Sequence, residues 1–206
     1  MGGGAMAFPG WTVAGLPAAV DAALGAVLEQ VIPGVVRVWN GRGGFGAGFL
    51  VRPGLVVTSA HLLAREPHRV TLWTGEHLPA VPVIVEPELD LAVLRLPQPV
   101  GPALPLRDPA TLRAGSLMLA LGHPWGEPYS VTLGVFSGWV TVRTGGPRRT
   151  LRLLRTDAAL APGNSGGPLL DAWGRVVGVS AMVVGGDQSL AVPADAVDGL
   201  IREGNG

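Results

Sequence analysis

Apolar positions change their period along the chain. Pro17 can open a helix at its first position, and Val20, Leu24, Val27, Leu28 and Val31 then recur at helical spacing to give one apolar face. Pro33-Gly34 ends that pattern. From residue 35 the period falls to two, or to short apolar runs, which predicts strands near 35–39, 46–51, 55–58, 69–73, 80–86 and 91–95. Gly41–Gly44, Arg52-Pro53-Gly54, Thr74–His77 and Glu86–Glu88 punctuate them as turns. Residues 97–115, rich in Pro and polar side chains, read as a linker. A second set of strands follows near 116–121, 130–142, 150–155, 168–171, 175–183 and 189–192, and Pro193 starts a closing helix, PADAVDGLIRE. Two sets of short strands with few helices give an all-β class, either two barrels or a sandwich. The division is 1–34 as N-terminal arm and helix, 35–110 as first barrel with linker, and 111–206 as second barrel with closing helix.

Composition sharpens this picture. Apolar residues are 48% of the 206 and charged ones 15%, so a core can be buried and disorder is disfavoured. The 32 Gly and 19 Pro fall between apolar runs, as tight turns between strands require. Net charge is zero, which removes the broad attraction that nucleic-acid and anionic-membrane binders use. Cysteine is absent, so there is no disulfide, thiol nucleophile or thiolate metal site. No apolar run reaches the length of a membrane helix, and residues 1–20 lack the basic start of a secretory signal.

Three segments carry candidate chemistry. Gly163-Asn164-Ser165-Gly166-Gly167-Pro168 surrounds a serine with glycines, which let backbone N–H groups converge on one point. Taken alone it serves equally as a Gly-rich turn. Thr58-Ser59-Ala60-His61 puts a histidine where a strand runs out into a turn. Asp90 directly precedes the apolar run Leu91–Leu94, where it could cap a strand or orient a histidine. His68, His77 and His123 form no i, i+4 pair beside a carboxylate, so no metal site is expected.

Chain order separates the readings. The G-x-S-x-G elbow of α/β-hydrolases needs its histidine after its serine, and all four histidines precede Ser165. The order Asp, His, Ser would need long βα alternation, which is missing. The order His61, Asp90, Ser165 fits an all-β pattern.

The stretches GAGFLV, VVTSAHLL, DLAVLRL, ALGHPWG and TDAALAPGNSGGPLLDAWGRVVGV resemble trypsin-like serine proteases of the HtrA/Deg type, over about residues 27–200. The resemblance implies two six-stranded antiparallel β-barrels with the site in the cleft between them. His61 would be the general base, Asp90 its orienting carboxylate and Ser165 the nucleophile. The backbone N–H groups of Gly163, Asn164 and Ser165 would supply the oxyanion hole. The S1 floor would be Ala159, with walls from Ser180, Met182 and Leu190. That uncharged slot favours small or medium aliphatic residues. No metal or organic cofactor is implied. Unfolded polypeptides would be the substrates, in protein quality control, and a homotrimer would form through Phe8 and Trp11. The family favours an extracytoplasmic site, although no signal is visible.

The chain departs from the family pattern at Gly122-His123-Pro124, where Gly-Asn-Pro is usual, and in the shortness of Asn40–Gly44. The usual peptide-binding PDZ domain and N-terminal anchor have no counterpart in these residues. Two other classes compete with the protease: a catalytically silent peptide-binding or chaperone-like module, and a structural adaptor that only shares the fold.

Overall fold

The structure is a computed structural model and describes residues 16–39, 41, 43–124, 129–143, 150–184 and 188–203. The arm with Phe8 and Trp11 lies outside the described residues. Helix α1 (Leu16–Val31) forms where the helical period predicts it. Leu24, Val27 and Leu28 are half-buried and Val31 is buried, all against the main core. Pro33 and Gly34 close the helix in a short 3-10 turn.

Strands β1 (Val35–Trp39), β2 (Phe45–Arg52), β3 (Leu55–Thr58), β4 (Arg69–Thr71), β5 (His77–Pro79), β6 (Val81–Glu86) and β7 (Leu91–Arg95) form the first sheet, in the order β5-β4-β1-β2-β3-β7-β6. It has one strand more than the pattern predicts. The run His77–Glu86 bends at Ala80, pairing with β4 through its first end and with β7 through its second. The Ala80 N–H donates to the His68 carbonyl at the bend. The two edges of the sheet are therefore one continuous stretch of chain, which curls the sheet into a half-barrel. β8 (Leu117–Gly122), β9 (Ser130–Arg143), β10 (Thr150–Thr156), β11 (Pro168–Asp171), β12 (Val176–Val184) and β13 (Gln188–Pro193) close into a six-stranded barrel, in the order β10-β13-β12-β11-β8-β9. All these pairings are antiparallel. Helix α2 (Ala194–Glu203) follows Pro193 and buries Val197 and Ile201.

One core joins the sheets. Phe49, Val57, Leu91 and Val93 of the first share a cluster with Leu121, Leu170, Val179 and Val192 of the second. This shared apolar contact holds the two sheets together, because burial stabilises by about 25 cal/mol per Å². The Pro-rich linker is held near its middle by both sheets. The Leu104 N–H donates to the Leu50 carbonyl at 2.7 Å, and the Arg107 N–H to the Val176 carbonyl at 2.8 Å. The buried Asp171 carboxylate completes the anchor. It accepts from Arg107 Nη1 and Arg175 Nε, each at 2.9 Å, and from the N–H groups of Trp173 and Arg175. Burial alone would raise the Asp171 pKa. The hydrogen bonds from Arg175, Arg107 and Trp173 outweigh it and hold the carboxyl below its ordinary value. Among the described residues no helix is long and apolar enough to cross a membrane.

Candidate active site

β3 ends at Thr58, and a single 3-10 turn, Ala60–Leu63, carries His61. Asp90 sits in the turn before β7 with φ 52°. Asp tolerates that left-handed region better than most residues, because its short side chain can bond locally. β3 and β7 are paired neighbours, so both turns emerge at the same end of the sheet. There Asp90 takes two bonds from His61. Its Oδ2 lies 2.8 Å from the imidazole Nδ1, and its Oδ1 accepts the His61 N–H at 2.9 Å. The Asp90 carbonyl accepts the Ala60 N–H at 3.1 Å. A carboxylate only accepts, so Nδ1 donates and the neutral ring carries its lone pair on Nε2. The His61 pKa is raised above its ordinary 6.5, first by the hydrogen bond to Asp90, with burial opposing and the Asp90 charge adding. The ring remains half-exposed.

Ser165 is tied to the same sheet through backbone contacts. The Ala47 N–H of β2 donates to the Ser165 carbonyl at 2.9 Å, and the Thr58 hydroxyl donates to the Ala47 carbonyl at 2.7 Å. The strand end that leads to His61 and the loop that carries Ser165 therefore hang on one residue of β2. Gly166 has φ 83°, and a Cβ there would lie 2.4 Å from the Ala47 carbonyl oxygen and 2.7 Å from the Ser59 nitrogen. Only glycine allows so close an approach. Gly163 has φ 108°, and a Cβ there would lie 2.2 Å from the His123 carbonyl oxygen. The Gly163 carbonyl accepts the His123 N–H at 3.1 Å, which orients the loop from the far side. The bonds that tie Thr58 and Ser165 to Ala47 escaped the sequence reading, because contacts to main-chain atoms leave no signature in residue type.

The three candidate oxyanion amides differ. The Asn164 N–H donates to the Ala161 carbonyl at 2.9 Å, closing a turn. It is engaged, so the expectation that Asn164 contributes a donor is corrected. The N–H groups of Gly163 and Ser165 have no acceptor among the described residues. The Ser165 hydroxyl also makes no hydrogen bond among them, as is common before a substrate tightens a nucleophile–base pair.

The expected S1 residues are only partly brought together. Ala159 is exposed, with its carbonyl held by the Thr132 hydroxyl at 2.7 Å. Ser180 is 0% exposed and holds the loop through its backbone, accepting the Gly166 N–H and donating to the Gly167 carbonyl. Leu190 is 2% exposed and lies in the shared core, so it is closed off from any open slot, contrary to its expected role as a wall. The Met182 side chain lies outside the description. Among the described residues no group of three or more His, Asp or Glu gathers that could hold a metal ion.

A half-barrel and a barrel around a histidine–carboxylate pair and a glycine-flanked serine define the chymotrypsin-like class of fold. Comparison with known proteins agrees. The family model for the trypsin-like peptidase domain matches residues 46–179. The mitochondrial serine protease HTRA2 of Bos taurus is 36% identical over 194 residues, covering 86% of this chain and 42% of its own length. The counterpart in Drosophila pseudoobscura pseudoobscura is 38% identical over 158 residues, covering 74% and 37%. A solved structure, the HtrA-type protease AlgW with tripeptide, superposes with a TM-score of 0.77 at 28% identity, covering 87% of this chain and 62% of that one. The chain belongs to the trypsin-like peptidase family, as a protease domain of the HtrA type. It spans about two fifths of the length of the curated relatives it matches.

Proposed function

We propose that the chain is a serine endopeptidase in which Ser165, His61 and Asp90 act as one unit. Nε2 of His61 takes the Ser165 proton as Oγ attacks a peptide carbonyl, and the new oxyanion is held by the N–H groups of Gly163 and Ser165. His61 then passes its proton to the leaving amine. A water, deprotonated by the same imidazole, hydrolyses the acyl-enzyme. Asp90 fixes the tautomer that keeps Nε2 basic and stabilises the imidazolium that forms. The observation that carries this reading is the double hold of Asp90 on His61, at 2.8 and 2.9 Å, beside a serine loop with two unengaged amides.

Ala159 supplies no charge at the position expected for the S1 floor, which favours small or medium aliphatic residues before the scissile bond. Family likeness extends the proposal to unfolded polypeptides as substrates, to a role in quality control and to a homotrimer assembled through Phe8 and Trp11. The test is cleavage of casein by the wild type against Ser165→Ala. Loss of cleavage in the variant with an unchanged far-UV circular dichroism spectrum supports the reading. Equal cleavage by both proteins overturns it.

A further inference from the structure

A groove of about 460 Å³ opens on the first sheet, lined by Arg37, Trp39, Phe45, Arg69, Thr71 and His77 among others. Its two arginines each lie against an aromatic ring. The Arg37 guanidinium stacks 4.5 Å from the centroid of Phe45, and that of Arg69 lies 5.6 Å from Trp39. His77 Nδ1 is 2.9 Å from the Thr71 hydroxyl, which orients the ring. Among the described residues no carboxylate lines the groove, and Arg69 is exposed with no ion-pair partner. The Arg69 guanidinium, preset against Trp39, loses little freedom when it takes a carboxylate.

The groove adjoins the candidate site. Phe45 is followed by Gly46, where a Cβ would lie 3.0 Å from the Ser165 carbonyl oxygen, and by Ala47, whose N–H holds that carbonyl. A second hollow of about 220 Å³ shares Arg37 and Thr71 with the first and continues to His123 and Tyr129. His123 is the residue whose N–H holds the Gly163 carbonyl. A chain lying across Ser165 toward the first sheet therefore runs into this groove. Ala159, proposed for the acyl side, follows β10 of the second sheet, whereas the groove lies on the first.

We propose that this groove receives an acidic side chain of the polypeptide on the leaving-group side of the scissile bond. The inference rests on the peptidase reading and names a determinant of its specificity. The test uses the Ser165→Ala protein and labelled decapeptides sharing one aliphatic cleavage residue. They carry Asp, Ala or Lys at the second and third positions after it, and a mirror set carries the same residues before it. Fluorescence polarisation at low salt should rank affinity Asp over Ala over Lys, by about five-fold per step, in the first set alone. The spread should shrink as salt is raised. Arg69→Glu, a change at an exposed position, should invert the order. A flat ranking, a preference confined to the mirror set, or an order unchanged by Arg69→Glu overturns the proposal. Cleavage of the Ala peptide by the wild type distinguishes the two failures. Cleavage with a flat ranking rejects the groove alone, whereas no cleavage of any peptide rejects the peptidase reading and the leaving-group assignment with it.

Discussion

The two halves of the candidate site are held by opposite means. On the first sheet, His61 and Asp90 are fixed by side-chain chemistry, with one carboxylate taking both the ring and the backbone N–H of the histidine. On the second, Ser165 is fixed by the lack of side chains. Gly163 and Gly166 let the loop press against the backbone of His123, Ala47 and Ser59 at distances no Cβ permits. The first half should therefore fail by loss of a functional group, and the second by gain of an atom.

The largest expected effects come from removing those functional groups. Ser165→Ala and His61→Ala should each lower kcat by roughly 10⁴–10⁶-fold with the fold intact, because the residues act as a unit. Steady-state hydrolysis of an aliphatic peptide substrate measures this, and near-full activity of His61→Ala would contradict it.

Asp90→Asn follows, at about 10⁴-fold in kcat, through the wrong imidazole tautomer. It also has a signature in pH. A raised His61 pKa keeps the ring protonated, and unable to accept the serine proton, to higher pH. The acid limb of kcat/KM in the wild type should thus lie above the ordinary 6.5. Without the carboxylate only burial remains, which pushes the other way, so the limb of residual activity should move down. A limb that stays in place would separate Asp90 from His61.

Gly163→Ala breaks the other half. A Cβ at φ 108° and 2.2 Å from the His123 oxygen must displace the loop and its N–H. Loss of one oxyanion donor costs about 10²–10³-fold in kcat. His61 and Asp90 should be undisturbed, which the imidazole proton resonances would reveal.

Asp171→Ala tests the linker anchor and should spare kcat. It leaves buried N–H donors and two arginines unmatched, for a loss of about 2 kcal/mol, or roughly 4–8 °C in Tm. The folded Asp171 pKa is depressed, so its contribution is complete above the ordinary 3.8 and is lost as pH falls through the lower folded value. The gap in Tm between wild type and Asp171→Asn should accordingly narrow in that acid range.

Strand positions and residue types were readable from the sequence, whereas backbone support was not. Alternating or continuous apolar runs placed most strands within a residue or two of their observed ends. β5 was missed because His77-Leu78-Pro79 offers a single buried side chain, too few for a period. The linker's Pro-rich composition gave its place but not its rigidity, since the bonds of Leu104 and Arg107 to the two sheets are made by main-chain atoms. His61, Asp90 and Ser165 stood out because their types and order carry chemical meaning. The engaged amide of Asn164 and the inward turn of Leu190 could not, because both depend on which way the chain faces after folding.

Burst kinetics with a chromogenic active-site titrant read acyl-enzyme formation at Ser165 itself. The wild type should release one leaving group per chain in the first turnover, and Ser165→Ala none. No burst from the wild type, or the same burst from both proteins, would contradict it.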